Sequence, residues 1–287
     1  MPEAFRKDGV SVLMPAYRAE ATIVRAVRSV LGQTFTDWEL VIVADDGIDY
    51  EAALGRAGIA DPRIRHFSTG GTGAGSSAAR NRGLDHARFA LCATLDADDA
   101  LLPQKLELAL PHLLSHGIVS SALRVETADG RVLRTVGEGP DRVLGPGGYK
   151  FVNLSMDSML VFDRRRADPR YDPGFPCLTD IEFLLKLWAG SETVFHLGTP
   201  LHVYTKQPRS VSNGPGAGAA MIATKQRLMK LLENGAYPFA DPAGRDGLLD
   251  FYACSLAAER SYEARLAVTP GLLFEDHLEP FLAADGG

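Results

Sequence analysis

Two mainly apolar runs that end in polar residues decide the fold of this chain. Residues 10–17 read VSVLMPAY, and residues 40–47 read LVIVADDG. Short runs of this kind are typical of strands in a parallel sheet whose two faces are both covered. Between them, residues 20–31 place apolar side chains on one helical face, and Gly32 ends the predicted helix. The stretch therefore predicts a strand–helix–strand unit.

The same alternation continues to about residue 114. We predict further strands at 63–68 and 89–95, and further helices at 50–57, 76–87 and 101–114. Asp99 lies where the last of these helices would take its N-cap. This rhythm predicts an α/β fold with a mainly parallel sheet flanked by helices, in which ligands bind beyond the carboxyl ends of the strands.

The pattern changes after residue 117. Two strands at 118–126 and 131–136 are predicted to form a hairpin, and the Gly/Pro-rich stretch 137–149 is predicted to be a mobile loop. From about residue 216 the pattern is helical. We therefore predict a domain at 1–213, divided into halves at 1–116 and 117–213, and a C-terminal helical extension at 214–287.

The composition is that of an ordinary globular protein. With 46% hydrophobic and 23% charged residues, the chain is neither disordered nor a coiled coil. A net charge of −6 argues against nucleic-acid binding driven by phosphate contacts. No stretch reaches the roughly 18–20 apolar residues of a membrane-spanning helix, and the first apolar run is too short for a signal peptide. Three widely spaced cysteines indicate a reducing compartment, so we predict a cytoplasmic protein.

Aromatic and acidic residues follow three of the predicted strands. The first strand ends in Pro15-Ala16-Tyr17, the second in Asp45-Asp46-Gly47 and the fourth in Asp96-Ala97-Asp98-Asp99. All three groups are predicted to share the edge of the sheet where ligands bind. A tyrosine that stacks on a base, a carboxylate that accepts from a base N–H and a second acidic group suit a nucleoside diphosphate.

The spacing of the second acidic group suggests a metal ion. Residues two apart on an extended segment point to the same side, so Asp96 and Asp98 can face one ligand. Carboxylate oxygens are typical ligands of Mg²⁺ and Mn²⁺, which bridge to pyrophosphate oxygens.

Four runs, in this order along the chain, resemble glycosyltransferase family 2, a family of inverting enzymes with the GT-A fold. They are VSVLMPAY at 10–17, WELVIVADDG at 38–47, ARNRG at 79–83 and LDADD at 95–99. The resemblance implies transfer of a sugar from a nucleotide-sugar donor, most simply a UDP-sugar, to an acceptor hydroxyl. It makes 1–116 the nucleotide-binding half and 117–213 the acceptor half.

The resemblance also implies roles for individual residues. Tyr17, with Ala16 beside it, would contact the uracil; Asp46, or alternatively Asp45, would accept from the base N–H; and Asp96 would lie near the ribose. The implied nucleotide-binding set is Pro15, Ala16, Tyr17, Asp45, Asp46, Arg80, Asp96 and Ala97, with Asp98 as the ligand of Mn²⁺ or Mg²⁺.

The family places its catalytic base at the start of a helix. Here the matching residue is Asp180, with Thr179 in place of the usual glutamate. The alternative is structural: Thr179 and Glu182 have the spacing of a capping box. Asp157 matches a position on the acceptor side.

The run at 204–212 departs from the family pattern. Thr205 and Gln207 stand where the family has arginine and histidine. Either Lys206 or Arg209 replaces them at the diphosphate, or the loop orders only when the donor binds, and His202 is a further candidate ligand. The basic run at 164–166 is either a solvated face or a site for an anionic acceptor.

Two other functions are consistent with parts of the sequence. GAGSSA at 73–78 fits the glycine pattern of nicotinamide-binding enzymes, although the strand before it is charged. The altered 204–212 run would also suit a nucleotide-sugar-binding protein without catalysis. The absence of a processive-synthase tract favours single-sugar transfer, and the C-terminal helices offer a surface for a homo-oligomer.

Overall fold

The computed structural model of the protein describes residues 6–154, 159–206 and 216–285. The first part alternates as predicted. Its elements are β1 (Arg6–Ala16), α1 (Ile23–Leu31), β2 (Trp38–Ala44), α2 (Tyr50–Arg56), β3 (Ile64–Ser68), α3 (Ser76–His86), β4 (Phe89–Thr94), β5 (Ala100–Leu101) and α4 (Lys105–His116). The N-cap of α4 is Gln104. The prediction that Asp99 caps this helix is therefore wrong, because the helix begins one turn later and residues 100–101 pair in the sheet.

The second part contains more regular structure than the sequence predicts. Its elements are β6 (Ile118–Thr127), β7 (Val132–Val136), β8 (Arg142–Leu144), α5 (Pro146–Val152), β9 (Val161–Asp163), α6 (Thr179–Leu187) and β10 (Val194–Lys206). The hairpin of β6 and β7 is confirmed. The predicted loop at 137–149 is wrong, because β8 pairs with β10 and Pro146 starts α5.

The described strands form one mixed sheet in the order β3-β2-β1-β4-β9-β6-β10-β5, with β7 on β6 and β8 on β10. The strands β3, β2, β1 and β4 run parallel. Antiparallel β9 joins this half to β6 and β10, which are parallel to each other. Helices cover the sheet, and the predicted α/β architecture is confirmed.

Alternate residues of the central strands point into two separate cores. Val12 and Ile42 pack under α1 and α4 on one face, whereas Leu13 and Val41 face α3 and α6 on the other. The three C-terminal helices, α7 (Ala217–Glu233), α8 (Pro242–Val268) and α9 (Phe274–Asp285), bury residues in the second of these cores. They confirm the predicted helical pattern. Within the described ranges, none of the helices has the length and apolar character needed to span a bilayer.

Candidate functional site

The carboxyl ends of β1, β2 and β4 lie side by side. Ala16 is in register with Ala44 of β2, and Leu13 is in register with Thr94 of β4. The backbone N–H of Asp45 donates to the carbonyl of Ala16 at 2.9 Å, which continues this pairing into the loops. The residues that follow each strand therefore share one edge of the sheet.

Tyr17 and Asp46 belong to two loops that are hydrogen-bonded to each other. The Asp46 carboxylate accepts from the N–H of Arg18 at 2.5 Å and from the hydroxyl of Tyr50 at 2.7 Å. That hydroxyl in turn accepts from the N–H of Ala19 at 2.9 Å. Tyr17 is 46% exposed, so a flat ligand can reach its ring. Burial raises the pKa of Asp46, but these hydrogen bonds outweigh it, and the pKa lies below its ordinary value.

Asp45 is buried and faces away from this edge. Its carboxylate accepts from the hydroxyl of Thr69 at 2.6 Å and from the N–H groups of Ala74 and Gly75 at 3.0 and 2.8 Å. The glycine-rich loop between β3 and α3 is thus wrapped around a carboxylate of the chain itself. Of the two adjacent aspartates, Asp46 is the one that a ligand at the edge can contact.

This arrangement also bears on the nicotinamide-binding alternative. That function needs the N–H groups of the glycine loop for a pyrophosphate, and here those of Ala74 and Gly75 are bonded to Asp45. The strand before the loop, β3, is at the end of the sheet and only partly buried. The geometry does not fit a dinucleotide fingerprint.

Arg80 and Asp96 form an ion pair on the floor of the site. The Arg80 guanidinium donates to the Asp96 carboxylate at 2.5 Å, and its carbon lies 5.4 Å from the ring centroid of Tyr171. Burial lowers the pKa of Arg80, but attraction to Asp96, Tyr171 and Asp180 outweighs it and raises the pKa above its ordinary value. The pair leaves about a quarter of the Asp96 side chain open to solvent.

The next two aspartates differ sharply in environment. Asp98 is partly exposed, and burial together with repulsion from Asp99 and Asp96 raises its pKa to about 7. Asp99 is buried, accepts from the N–H of Thr205 at 2.9 Å and faces His202 at 3.4 Å. Burial raises the pKa of Asp99 and lowers that of His202 to about 3, which favours a neutral pair. His202 is therefore packed behind the site rather than exposed in it.

Residues 96–99, which we call the acidic loop, fit a divalent cation that is shared with a ligand. The carboxylates of this loop supply hard oxygen donors, the kind of ligand that Mg²⁺ and Mn²⁺ prefer. Within the described ranges, no group of three or more His, Cys, Asp or Glu side chains has the geometry of a complete metal site. A cation held by one or two carboxylates and by the phosphates of a substrate is the usual arrangement for Mg²⁺.

Asp180 lies in the first turn of α6, half-buried. The residue before the helix is Leu178, whose φ of 54° is unusual for a residue with a side chain and costs about 1–2 kcal/mol. The N-cap position is held by Leu178, which makes no side-chain cap bond, so Thr179 is not the N-cap that a capping box with Glu182 requires. The carboxylate of Glu182 instead pairs with Lys186 at 2.8 Å.

Asn81 connects this region to the nucleotide-binding half. Its side-chain amide donates to the carbonyl of Tyr171 at 2.9 Å and accepts from the N–H of the same residue at 2.8 Å. Tyr171 is therefore fixed beside Arg80, and Asp180 is close enough to influence the pKa of both residues. The predicted residues Arg80, Asp96 and Asp180 thus come together around Tyr171.

The remaining predicted residues are less informative. Lys206 is the last residue of β10, whereas Asp157 and Arg209 lie outside the described residues. The arginines of the 164–166 run are bound within the chain: Arg164 pairs with Asp168, Arg165 pairs with Asp163, and Arg166 donates to the carbonyl of Leu114. That run is consistent with a structural role.

Four residues that support the site are missing from the sequence-based set. They are Arg25, Tyr50, Asn81 and Tyr171. Asn81 stands inside the ARNRG run, which is a usable signal. Arg25 and Tyr171 act through contacts with residues distant in sequence, as when Arg25 donates to the carbonyl of Asp98 and to the hydroxyl of Thr205. Tyr50 joins the nearby Asp46 to Ala19, 31 residues before it.

Comparison with known proteins gives a family match. Residues 11–153 match the family model described as glycosyl transferase family 2. The chain is 37% identical over 109 residues to the Escherichia coli UDP-Glc:alpha-D-GlcNAc-diphosphoundecaprenol beta-1,3-glucosyltransferase WfgD, which is 38% of this chain and 42% of that protein. The chain therefore spans less than half the length of this relative.

Solved structures show the same fold at low sequence identity. S. aureus TarS 1-349 in complex with UDP-GlcNAc superposes with a TM-score of 0.69 at 14% identity, over 96% of this chain and 80% of that one. The Pyrobaculum calidifontis mannosyltransferase PcManGT, in complex with GDP-Man and Mn²⁺, gives a TM-score of 0.58 at 18% identity, over 96% and 79%. These likenesses establish the GT-A fold.

Proposed function

Since the chain belongs to glycosyltransferase family 2 and is a transferase by that membership, we propose that it is an inverting enzyme acting on a UDP-sugar. The observation that carries this proposal is the convergence of Tyr17, Asp46 and the Arg80–Asp96 pair at one edge of the sheet. The uracil stacks on Tyr17, Asp46 accepts from its N–H, and the ribose hydroxyls donate to Asp96. Pro15, Ala16 and Ala97 form the backbone of this pocket. The UDP-GlcNAc bound by TarS supports the choice of nucleotide.

The diphosphate of the donor lies over the acidic loop. A divalent cation, Mn²⁺ or Mg²⁺, held by Asp98 and the diphosphate would neutralise charge on the leaving group. The Mn²⁺ complex of PcManGT supports this assignment. Arg25 fixes the backbone of Asp98 through its carbonyl, and Lys206 supplies a positive charge at the end of β10.

Asp180 is the general base. It takes the proton of the acceptor hydroxyl as that oxygen attacks the anomeric carbon, and the bond to the diphosphate breaks on the opposite face. The acceptor is a hydroxyl of a saccharide, in line with the sugar-diphospholipid in the name of WfgD. One sugar is transferred per reaction.

Two further statements stay predictions. The reaction takes place in the cytoplasm, for which the three buried free cysteines are supporting evidence. The C-terminal helices pair two copies of the chain.

The direct test is UDP release from a panel of UDP-sugars with Mn²⁺ and saccharide acceptors. In Asp180→Asn we expect UDP to bind within twofold of wild type while transfer falls by about 10²–10⁴-fold. The matched control is Asp250→Asn, an exposed aspartate of α8, with unchanged transfer. Full transfer by Asp180→Asn would show that the base is misassigned. Tight UDP binding without transfer from any donor would instead favour a non-catalytic binding protein.

A further inference from the structure

The segment that carries Asp180 contacts the helix α7, and both lie beyond the family match at residues 11–153. We call residues 171–182 the base segment. The Arg227 guanidinium donates to the carbonyl of Gly174 at 2.7 Å, and its carbon lies 3.9 Å from the ring centroid of Phe175. It also approaches the carboxylate of Asp172 at 3.4 Å. One side chain of α7 therefore binds the backbone, a ring and a carboxylate of this segment.

Two more contacts from the C-terminal helices follow along the base segment. The thiol of Cys177 donates to the hydroxyl of Thr224 at 3.2 Å. The hydroxyl of Tyr237, which follows α7, donates to the carboxylate of Glu182 at 3.3 Å. These contacts lie three residues before Asp180 and two residues after it, so the C-terminal helices hold the segment on both sides of the carboxylate.

The backbone between these contacts is the strained turn at Leu178. A residue with a side chain at positive φ persists only where the surrounding structure holds it there, and such residues cluster at functional sites. Leu178 packs against the core that contains Leu228 and Leu232 of α7. Since φ of Leu178 sets the direction in which α6 leaves the turn, it also sets the position of Asp180.

We infer that Arg227 is a positioning residue for Asp180, and that the C-terminal helices are part of the catalytic machinery. The inference rests on the proposed role of Asp180 as the base. Arg227 acts through its contacts with Gly174 and Phe175. Its loss lets the base segment shift, and a displacement of 1 Å at a reacting group costs about 10²-fold in rate.

A general contribution to stability is the competing explanation, and the exposure of Arg227 separates the two. Its side chain is 47% exposed. Exposed ion pairs contribute little to stability, so replacing Arg227 is expected to leave the protein folded. An effect on rate without an effect on folding then points to positioning.

The experiment compares Arg227→Ala and Arg227→Lys with Arg260→Ala, an exposed arginine of α8 that serves as the control. Steady-state transfer is measured with a UDP-sugar, together with UDP affinity and the thermal midpoint. We expect Arg227→Ala to lower kcat at least tenfold, with KM for the donor and UDP affinity within twofold of wild type. Arg227→Lys restores part of the rate, since lysine can still donate to the carbonyl of Gly174.

A double-mutant cycle makes the test decisive. In the Asp180→Asn background, Arg227→Ala is expected to change the residual rate less than twofold, because residues that act as one unit are not additive. Equal losses in both backgrounds, or a wild-type kcat in Arg227→Ala, would overturn the inference and leave the proposed function intact. Absence of transfer by the wild-type chain would overturn the proposed function itself.

Discussion

Lys105 is a buried lysine at the first residue of α4, and its titration predicts an unusual dependence of stability on pH. The side chain is 1% exposed, and its ammonium donates to the hydroxyl of Ser121 at 2.7 Å. Burial lowers the pKa of Lys105 from 10.5 to about 7. Because the unfolded chain keeps the ordinary pKa, it binds more protons than the folded protein between pH 7 and pH 10.5.

The sign and the size of the effect follow from this difference. Stability rises with pH wherever the unfolded state binds more protons, so the folded state gains stability as the pH rises through this window. Integrating the two titrations gives a gain of about 2 kcal/mol in the free energy of unfolding between pH 7 and pH 9. In Lys105→Met, which keeps the length of the side chain and removes the charge, this gain disappears.

The measurement is urea denaturation of both proteins at pH 7, 8 and 9. We expect Lys105→Met to be the more stable protein at pH 7, with an advantage that shrinks by about 2 kcal/mol at pH 9. The control Lys230→Met, on the exposed face of α7, keeps the pH dependence of wild type. Parallel pH profiles for wild type and Lys105→Met would refute the reasoning, because the lysine would then titrate alike in both states.

Three further outcomes are expected. Tyr50→Phe removes the hydroxyl that fixes the Asp46 carboxylate beside the uracil, a charged hydrogen bond worth about 1.5–3 kcal/mol. Calorimetry should therefore show UDP affinity falling about tenfold. The control Tyr262→Phe, in the C-terminal helices, should leave UDP affinity unchanged. Gly190→Ala would place a methyl group 2.1 Å from the carbonyl of Arg166 and should lower the free energy of unfolding by about 1–3 kcal/mol. By contrast, the methyl group added in Gly55→Ala meets nothing within 4 Å, and this variant should raise the free energy of unfolding by about 0.5–1 kcal/mol. Melting temperatures of both glycine variants equal to that of wild type would contradict these two expectations.

The parts of the site that follow directly from strand ends are readable from the sequence. Apolar runs at β1, β2 and β4 are long enough to identify, and their parallel order brings Tyr17 and Asp46 to one edge. What the sequence does not reveal is which of two adjacent carboxylates faces the ligand. Asp45 and Asp46 are neighbours in the chain, and only the position of the glycine-rich loop, 24 to 30 residues further on, separates a buried carboxylate from one at the edge.

Short elements and long-range contacts are also not predictable from the local sequence, because residues distant in the chain determine them. The strand β9 has three residues, too few for an alternating pattern, and its position is set by pairing with β4 and β6. Asp99 has the local signature of an N-cap, yet it accepts from the N–H of Thr205, 106 residues away. A local rule describes the residue correctly only when no distant donor competes for it.

The departure of the 204–212 run from the family pattern is a case where a local comparison misleads about charge. Thr205 stands where the family has an arginine, which suggests a missing cation beside the acidic loop. In the fold, the Thr205 hydroxyl accepts from Arg25, and the same guanidinium donates to the carbonyl of Asp98. Arg25 also lowers the pKa of Asp98 and Asp99 against the larger effects that raise them. The positive charge at the acidic loop therefore comes from Arg25 of α1, 180 positions before Thr205 in the chain.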